Sequence, residues 1–587
     1  MKRARISLVA GFVACIVLGG CTRPEPKPDA DVIVIGTGIA GLSAALEASA
    51  AGRTVLLIDA NSVGGGHAVK AGGFALVGTP LQERKGYRDS PEIAARDLLA
   101  WGEDADAEWV RRYVTASRTE VHDWLTGFGV RWGFILDTPE HSVPRFHFAN
   151  GAALNVVVPM MRAAFAEPNL GFDWNTEAVS LINSDGAVRG VRVRNLRTGI
   201  SRDLVAPAVI IATGGWQNDL AFVRREWRND LPVPSPLYSG AGHFATGTGI
   251  RLAQSVGAAT TRMDHQVTFT TGIPDPRDPG GTRALLGQNP GAIWVNSKGQ
   301  RFINEAGPSK LADRTVLGLT PATHWLVFDA DGLRTLRIRD AVWLGNPPGI
   351  KPLMQAGLIR QADSIPELAI ASGLPATALE HTVQRWNAAV LAGEDTDFAR
   401  FAHGRPDPTA RALRRPPFYA LQLFPMTRKS MGGLAIDANT GVLDQAGRPI
   451  PGLFAAGEVT GVAGINGSYG GEGTFLGPSV YLGRLAGRAV TGGETIGRTP
   501  QAVPPPAKAA VSADPAYRER AITVSPDALK RLTETRRPGY WHFEEAHRIV
   551  LERALDCTAC HTPDWPTVTA ATAAQRQAQL NACATCH

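Results

Sequence analysis

Short, uninterrupted apolar runs separated by glycine-rich breaks set the architecture of the first part of the chain. In DVIVIGTGIAGLSAALEASAAGRTVLLIDA, Asp31 to Ala60, the apolar run that ends at Ile35 is too short for a helix. It is also too uniform for a half-exposed strand, so it predicts a strand covered on both faces. Gly36, Gly38 and Gly41 break the run, a helix follows, and a second strand ends at Asp59. Strand, turn, helix and strand in that order build parallel sheets. VIIATGGW at 209–216 and IPGLFAAGEV at 450–459 have the same texture, and both are expected to return to this sheet. The stretch between them, 266–429, is then an insertion.

Other patterns mark the ends. Lys2, Arg3 and Arg5 precede an apolar run from Ile6 to Leu18, followed by Gly19, Gly20 and Cys21. That run is a secretory leader, too short for a permanent membrane span. Beyond residue 495 the texture becomes TPQAVPPPAKAAVSADP, an extended proline and alanine linker. The expected organisation is a leader at 1–21, a tether at 22–30, a Rossmann-like α/β domain from 31–265 and 430–495, and an inserted α+β cap at 266–429. A linker at 496–539 and a small, mainly α-helical tail at 540–587 complete it.

Composition narrows the function classes. At 587 residues the chain exceeds a single core, and 44% apolar with 19% charged residues describes a globular protein. The net charge of +6 is small for this length and no Lys/Arg run stands out, so nucleic acid is set aside as a partner.

The glycine spacing carries chemistry. Glycines at 36, 38 and 41, between a buried strand and a helix, permit a tight turn and let a pyrophosphate approach the helix N-terminus, while Asp59 is placed for a ribose hydroxyl. A dinucleotide cofactor is expected.

The six cysteines divide without remainder. Cys15 lies in the leader, and Cys21 follows a stretch resembling a bacterial lipobox, which implies lipidation of its thiol and export to the periplasm; ordinary cleavage nearby is the alternative. Cys557, Cys560, Cys583 and Cys586 form two pairs, CTACH and CATCH. By spacing, four thiolates also suit a zinc ribbon. The histidine directly after each pair is the arrangement for c-type haem, with two thioethers and an imidazole on iron, and export favours that reading. Two covalent haems with proximal His561 and His587 are expected, and His542 and His547 are the candidate distal ligands, since no methionine lies beyond Met431. With no residue following His587 here, its haem is expected to be the more exposed.

With these motifs laid out, the chain resembles the family of soluble flavocytochrome c fumarate reductases, urocanate reductases and 3-ketosteroid dehydrogenases. The likeness runs from about Asp31 to Val490 through GGGHAVKAGG, DSPE, ATGGW, GTGIRLA, VNSKGQRFINE, PPFYAL, MGGLAID, PGLFAAGEV and GRLAG. It implies FAD as the dinucleotide, held noncovalently, because His67 sits one residue too close to Gly72 to match the covalent histidine of succinate dehydrogenases. The FAD contacts it implies are Gly36, Gly38, Gly41, Asp59, Gly65, Gly66, Gly72, Gly73, Ala178, Ala212, Thr213, Gly214, Gly457, Gly477, Pro478 and Ser479, with Glu458 on a ribityl hydroxyl. It also makes the cap one wall of the substrate site.

The resemblance is less uniform around the substrate. Thr268, Lys429 and Ser468 stand where the fumarate reductases carry two histidines and an arginine that grip a dicarboxylate, which argues against fumarate. Lys429 is left to hold one carboxylate or polarise a carbonyl. Glu305 matches the family's acid-transfer glutamate, and Arg334 falls one residue out of register with its catalytic arginine; a surface arginine is the equal alternative. SYGGEGTFLGP, 468–478, is similar to the steroid dehydrogenase stretch in which a tyrosine hydroxyl and a glycine N–H bind the ketone oxygen, here Tyr469 and Gly473. Glycines that simply let backbone approach the flavin are the alternative.

The expected activity is FAD-dependent dehydrogenation of a CH–CH bond beside a carbonyl, in a ketosteroid-like or other enone-forming substrate. Two haems would pass the electrons to an external cytochrome or quinol-linked carrier. The alternatives are a periplasmic respiratory reductase of an unsaturated carboxylic acid and a flavin–haem relay without substrate chemistry.

Overall fold

The computed structural model describes residues 28–61, 64–150, 152–196, 198–278, 280–339, 350–492 and 500–503. The expected leader with Cys21, His542, His547 and both Cys-x-x-Cys-His motifs, Cys557, Cys560, His561, Cys583, Cys586 and His587, lie outside the described residues.

The strand Val32–Ile35 is buried along its whole length because it is the axis of a six-stranded sheet. Val55–Asp59 and Ala208–Ile211 flank it in parallel, with Val32 opposite Val55 on one side and Ala208 on the other. Leu170–Trp174 extends the sheet beyond Val55–Asp59, and Pro449–Ala455 extends it beyond Ala208–Ile211. Gly441–Leu443 closes the edge in antiparallel sense. The two distant apolar runs therefore do return to the first sheet.

Alternation along the central strand explains its uniform apolarity. Val32 and Val34 point into one core with the helices Ile39–Ala50, Leu154–Ala166 and Leu476–Ala489. Ile33 and Ile35 point into a second core, where Val188, Val191 and Val193 of a three-stranded antiparallel sheet cover the other face. Each strand residue meets apolar partners whichever way it points. Asp31, one residue before the strand, accepts bonds from Thr54 N at 2.7 Å and Thr54 Oγ1 at 2.8 Å, so the charge stays at the sheet's end.

The last helix lies against the first through glycines. A Cβ on Gly483 would be 2.3 Å from the Ala40 carbonyl oxygen, and one on Gly487 would be 2.5 Å from that of Ala44. Arg484, between them, pairs with Glu47 and Glu120 and lies 4.7 Å over the Trp124 ring.

A second sheet is organised by Phe418–Ser430, which pairs antiparallel with Gln266–Pro274, His324–Phe328 and Ile359–Ala362. Helices Ile365–Ser372 and Ala376–Ala392 cover it, with Leu368, Leu379, Val383 and Trp386 in the core between. Tyr238–Ser239, from the first domain, pairs with Met426–Thr427 of the same long strand. That strand thus delivers residues 428–430 to the junction of the two sheets. Among the described residues no helix is long and apolar enough to cross a membrane.

Candidate active site

The turn after the first strand forms a cradle. Gly36 has a φ of +106°, and a Cβ there would lie 2.5 Å from the Ala212 carbonyl oxygen; a Cβ on Gly41 would lie 1.9 Å from that of Gly36. These two glycines let backbone meet backbone. Gly38 differs: nothing lies within 4 Å of its Cβ position. It caps the helix Ile39–Ala50 without any side-chain bond, so the helix N-terminus opens onto free space.

Groups suited to a dinucleotide surround that space. Asp59 accepts from Thr37 N at 2.8 Å and Thr37 Oγ1 at 2.5 Å with one oxygen, and from Asn61 N at 2.8 Å with the other; burial raises its pKa against those bonds. Gly65 N donates to Thr37 O at 2.9 Å, and Gly66 packs on Gly38. Across the sheet, Ala212 is buried, the Thr213 hydroxyl is buried without a partner, and Gly214 has an open Cβ side. Glu458 accepts from Ser430 N at 2.8 Å. An uncapped helix end, an orphaned hydroxyl and open glycine faces fit FAD.

Other expected contacts have packing reasons of their own. A Cβ on Gly73 would be 2.1 Å from His147 O, one on Gly72 3.0 Å from the Phe148 ring, one on Gly457 2.7 Å from the Ala40 Cβ, and one on Gly477 2.0 Å from the Tyr113 hydroxyl. Ala178 is buried on the strand Thr176–Ser184 opposite Val193. Pro478 and Ser479 are buried in the first turn of Leu476–Ala489. His67 Nε2 lies 3.1 Å from the Arg428 guanidinium.

Between the two sheets is a cleft of about 60 Å³. Its walls come from Gln266–Phe269, the helix Ser309–Leu317, Trp227, Arg228, Trp101, Glu140, Met431 and the loop Ser468–Glu472. Lys310, Asp313, Arg314 and Leu317 recur at i, i+3, i+4 and i+7, so one helix face turns to the cleft. Sequence reasoning missed this face, although a charged stripe at helical spacing in SKLADRTVL was its signal. Tyr469 lies beneath it, with Lys310 Nζ 4.4 Å, Arg314 4.6 Å and Arg228 5.5 Å from its ring centre. The Tyr469 hydroxyl is buried without a hydrogen bond of normal distance and angle, although the Arg228 guanidinium lies near enough for the phenol to help raise its pKa.

Two further cleft groups escaped notice in the sequence. Gln266 is 6% exposed; its Oε1 accepts from Gln217 Nε2 at 3.2 Å, and its own Nε2 has no partner. Asp313 accepts from Thr270 Oγ1 at 2.7 Å and Thr270 N at 3.2 Å. Burial, helped by the charge of Glu472, raises its pKa to about 7 against those bonds.

The expected catalytic residues divide. Tyr469 lines the cleft, as do Thr268 and Ser468 at two of the former clamp positions. Ser468 Oγ donates to Asp104 at 2.8 Å. Burial works to raise the Asp104 pKa, but bonds from His265 and Ser468 bring it down to about 2. Lys429 is not on the cleft wall: its ammonium stands 4.0 Å over the Phe475 ring. Burial and Arg428 lower its pKa to about 8, with Glu472 and Glu458 opposing.

Gly473 is also off the wall. A φ of +80° and a Cβ position 2.5 Å from Ala75 N account for the glycine. Its carbonyl accepts from Ala75 N at 2.9 Å, and among the described residues its own N–H has no acceptor.

Glu305 lies away from the cleft, and Arg334 takes the surface position that was its alternative reading. The Glu305 carboxylate is buried and engaged by Arg301 at 2.8 and 2.9 Å, Arg400 at 3.4 Å and Trp294 N at 3.1 Å. Arg301 and Arg400 also take Asp395 and Asp407 and lie over the Trp386 ring, so Glu305 belongs to an ion network inside the cap. The Arg334 side chain is 78% exposed on the turn Gly332–Thr335, with Asp331 4.0 Å away. Neither reaches the cleft. No group of His, Cys, Asp or Glu among the described residues could hold a metal ion.

Comparison with known proteins agrees with this geometry. The family model described as an FAD binding domain matches residues 31–476. A fumarate reductase (cytochrome) of Shewanella frigidimarina is 31% identical over 471 residues, covering 79% of this chain and 77% of that protein. A KsdD-like steroid dehydrogenase of Mycobacterium tuberculosis is 30% identical over 540 residues, covering 78% and 95%. The open conformation of a flavocytochrome c3 fumarate reductase is similar with a TM-score of 0.65 at 27% identity, covering 80% of this chain and 79% of that one.

Proposed function

The chain belongs to the FAD binding domain family and is an FAD-dependent oxidoreductase of the fumarate reductase and ketosteroid dehydrogenase kind; from there, we propose that it dehydrogenates a CH–CH bond beside a carbonyl. The observation that carries the reading is the buried Tyr469 hydroxyl on the cleft wall, which has the Arg228 guanidinium beside it and no acceptor for its own proton among the described residues. A phenol donating to a carbonyl oxygen acidifies the adjacent C–H, and in a site with little water that donation is worth far more than in solution. FAD, when bound, supplies a two-electron hydride acceptor or donor. Gly36, Gly38, Gly41, Asp59, Thr213 and Glu458 would hold it, and Trp101, Trp227 and Phe269 give the cleft an apolar part of its wall.

One observation favours reduction of an unsaturated carboxylic acid instead. Arg228, Lys310 and Arg314 line the cleft, and such cationic groups suit the carboxylate of a small unsaturated acid. Anaerobic spectroscopy separates the readings. Bleaching of the flavin band by saturated ketones supports dehydrogenation, and reoxidation of reduced flavin by unsaturated acids but not enones supports the reductase. Failure of both panels leaves a relay of electrons.

Two covalent haems at Cys557, Cys560 and His561 and at Cys583, Cys586 and His587 would exchange single electrons with an external redox partner. The support is the pair of Cys-x-x-Cys-His motifs, together with the word cytochrome in the name of the Shewanella relative. Export to the periplasm with a lipid on Cys21 completes the reading. Loss of covalent haem stain in Cys557→Ala and Cys583→Ala, and loss of acyl labelling in Cys21→Ala, are the expected results.

A further inference from the structure

We propose that Asp313 is the proton acceptor and donor of the cleft, facing the substrate from the cap while Tyr469 holds the carbonyl oxygen; the proposal rests on the reading that the site interconverts CH–CH and C=C bonds. Asp313 stands in the middle of the nine-residue helix Ser309–Leu317, where aspartate is a poor helix former, so its presence asks for a reason.

Its two oxygens are treated differently. Oδ1 is fixed by both donors of Thr270, a residue 1% exposed on the neighbouring strand. Oδ2 has no hydrogen-bond or ion-pair partner among the described residues, although Asp313 lines the cleft. Nearby cations do not take it: Lys310 binds Glu103 at 2.6 Å, Arg314 meets Glu103 at 3.4 Å, and Arg228 binds Asp230 at 2.5 Å. Aspartates that only hold the cap together look otherwise. Both oxygens of Asp329 accept backbone N–H bonds, from Asp331 and Gly332 and from Arg414 and Arg415. One anchored oxygen and one free oxygen is the arrangement that fixes a proton acceptor's direction.

The charged and titratable groups facing Asp313 are Glu472, Glu140 and Tyr469 across the cleft, Arg228 beside it, and Lys310 and Arg314 on its own helix. Burial and Glu472 hold its proton affinity near neutrality, where a base exchanges protons readily with water. In the dehydrogenation, Oδ2 takes the proton from the carbon next to the carbonyl. The electrons of that C–H bond form the C=C bond, and FAD, when bound, would accept the β-hydrogen with its electron pair. Asp313 then returns its proton to water. Reduction runs the same steps backwards, with protonated Asp313 as donor.

The test uses FAD-loaded protein and Asp313→Asn, which keeps the Thr270 bonds. Three readouts are needed: stopped-flow flavin reduction by a saturated ketone, NMR exchange of the ketone's α-hydrogens in D₂O, and infrared pH-difference spectra of protonated carboxyls. We expect flavin reduction and α-exchange in the wild type to rise with pH through about 7 and to fall by roughly 100-fold or more in the variant. The infrared carboxyl signal titrating near neutrality should vanish in the variant, with FAD affinity unchanged. Wild-type exchange or turnover kept within threefold by Asp313→Asn overturns the role of Asp313 alone, as does the absence of a near-neutral carboxyl. Exchange without flavin reduction keeps Asp313 as the proton acceptor and removes the dehydrogenase reading. Absence of both reactions, in either redox direction, from the wild type overturns the two together.

Discussion

Replacing Gly38 by alanine should separate cofactor binding from folding. Gly38 has φ −66° and ψ 176°, which alanine adopts freely, and no protein atom lies within 4 Å of the added methyl. In the FAD-free protein the change is therefore worth less than about 1 kcal/mol. Alanine is a poorer N-cap than glycine, but it also narrows the unfolded ensemble. With FAD present, the methyl occupies the space by which pyrophosphate meets the helix end. Overpacking of that kind costs about 1–3 kcal/mol, or roughly 5- to 150-fold in Kd.

Gly41→Ala is the contrasting variant. Its methyl would lie 1.9 Å from the Gly36 carbonyl oxygen, far inside contact, so the helix must lift from the strand whether or not FAD is bound. A loss of about 1–3 kcal/mol is expected in the FAD-free protein itself. Urea denaturation of the FAD-free proteins and flavin-fluorescence titration measure the two effects separately. FAD affinity within twofold of wild type in Gly38→Ala, or unchanged stability in Gly41→Ala, would refute the assignment of this turn.

Tyr469→Phe should slow flavin reduction by a ketone about 100- to 1,000-fold and leave FAD affinity alone; an unchanged rate removes Tyr469 as the carbonyl donor. The Arg145 guanidinium is fully buried between Asp89 at 2.8 Å and Asp97 at 2.5 Å. Arg145→Ala removes the buried counter-charge of both carboxylates and should cost about 3–5 kcal/mol in urea denaturation, and a loss under about 1 kcal/mol would contradict that. His324 is buried with both ring nitrogens unpartnered, stacked 4.4 Å from Trp294, and burial lowers its pKa to about 3. Because that lies below the unfolded value near 6.5, the wild type keeps this contribution above pH 6.5 and loses it as pH falls towards 3. His324→Phe should flatten that part of the acid denaturation curve, and an identical acid limb would count against the burial argument.

The parallel sheet was legible from VIVI, GTGIAG and VLLID because a glycine turn between two buried strands is a local signal, complete within about thirty residues. The returning strands at 209–211 and 450–455 were legible for the same reason. Family membership followed from such short motifs, and so did the expectation of FAD. The two Cys-x-x-Cys-His motifs are equally local in the sequence, and covalent haem there belongs to the proposed function.

The cleft was different. Gln266, Asp313 and Tyr469 are far apart in the chain and meet only because the long strand Phe418–Ser430 carries the cap sheet back to the first domain. Glu305 matched by position yet became part of an ion network, and Arg334, one residue out of register, lies at the surface. Motif spacing along the chain determined that this protein can hold a dinucleotide, because each segment of the cradle is a short run of neighbouring residues that reads locally. Which side chains face the substrate, and which carboxylate keeps a free oxygen, was decided only by the packing of cap on sheet, because burial and unpaired hydrogen-bonding atoms are properties of the folded chain.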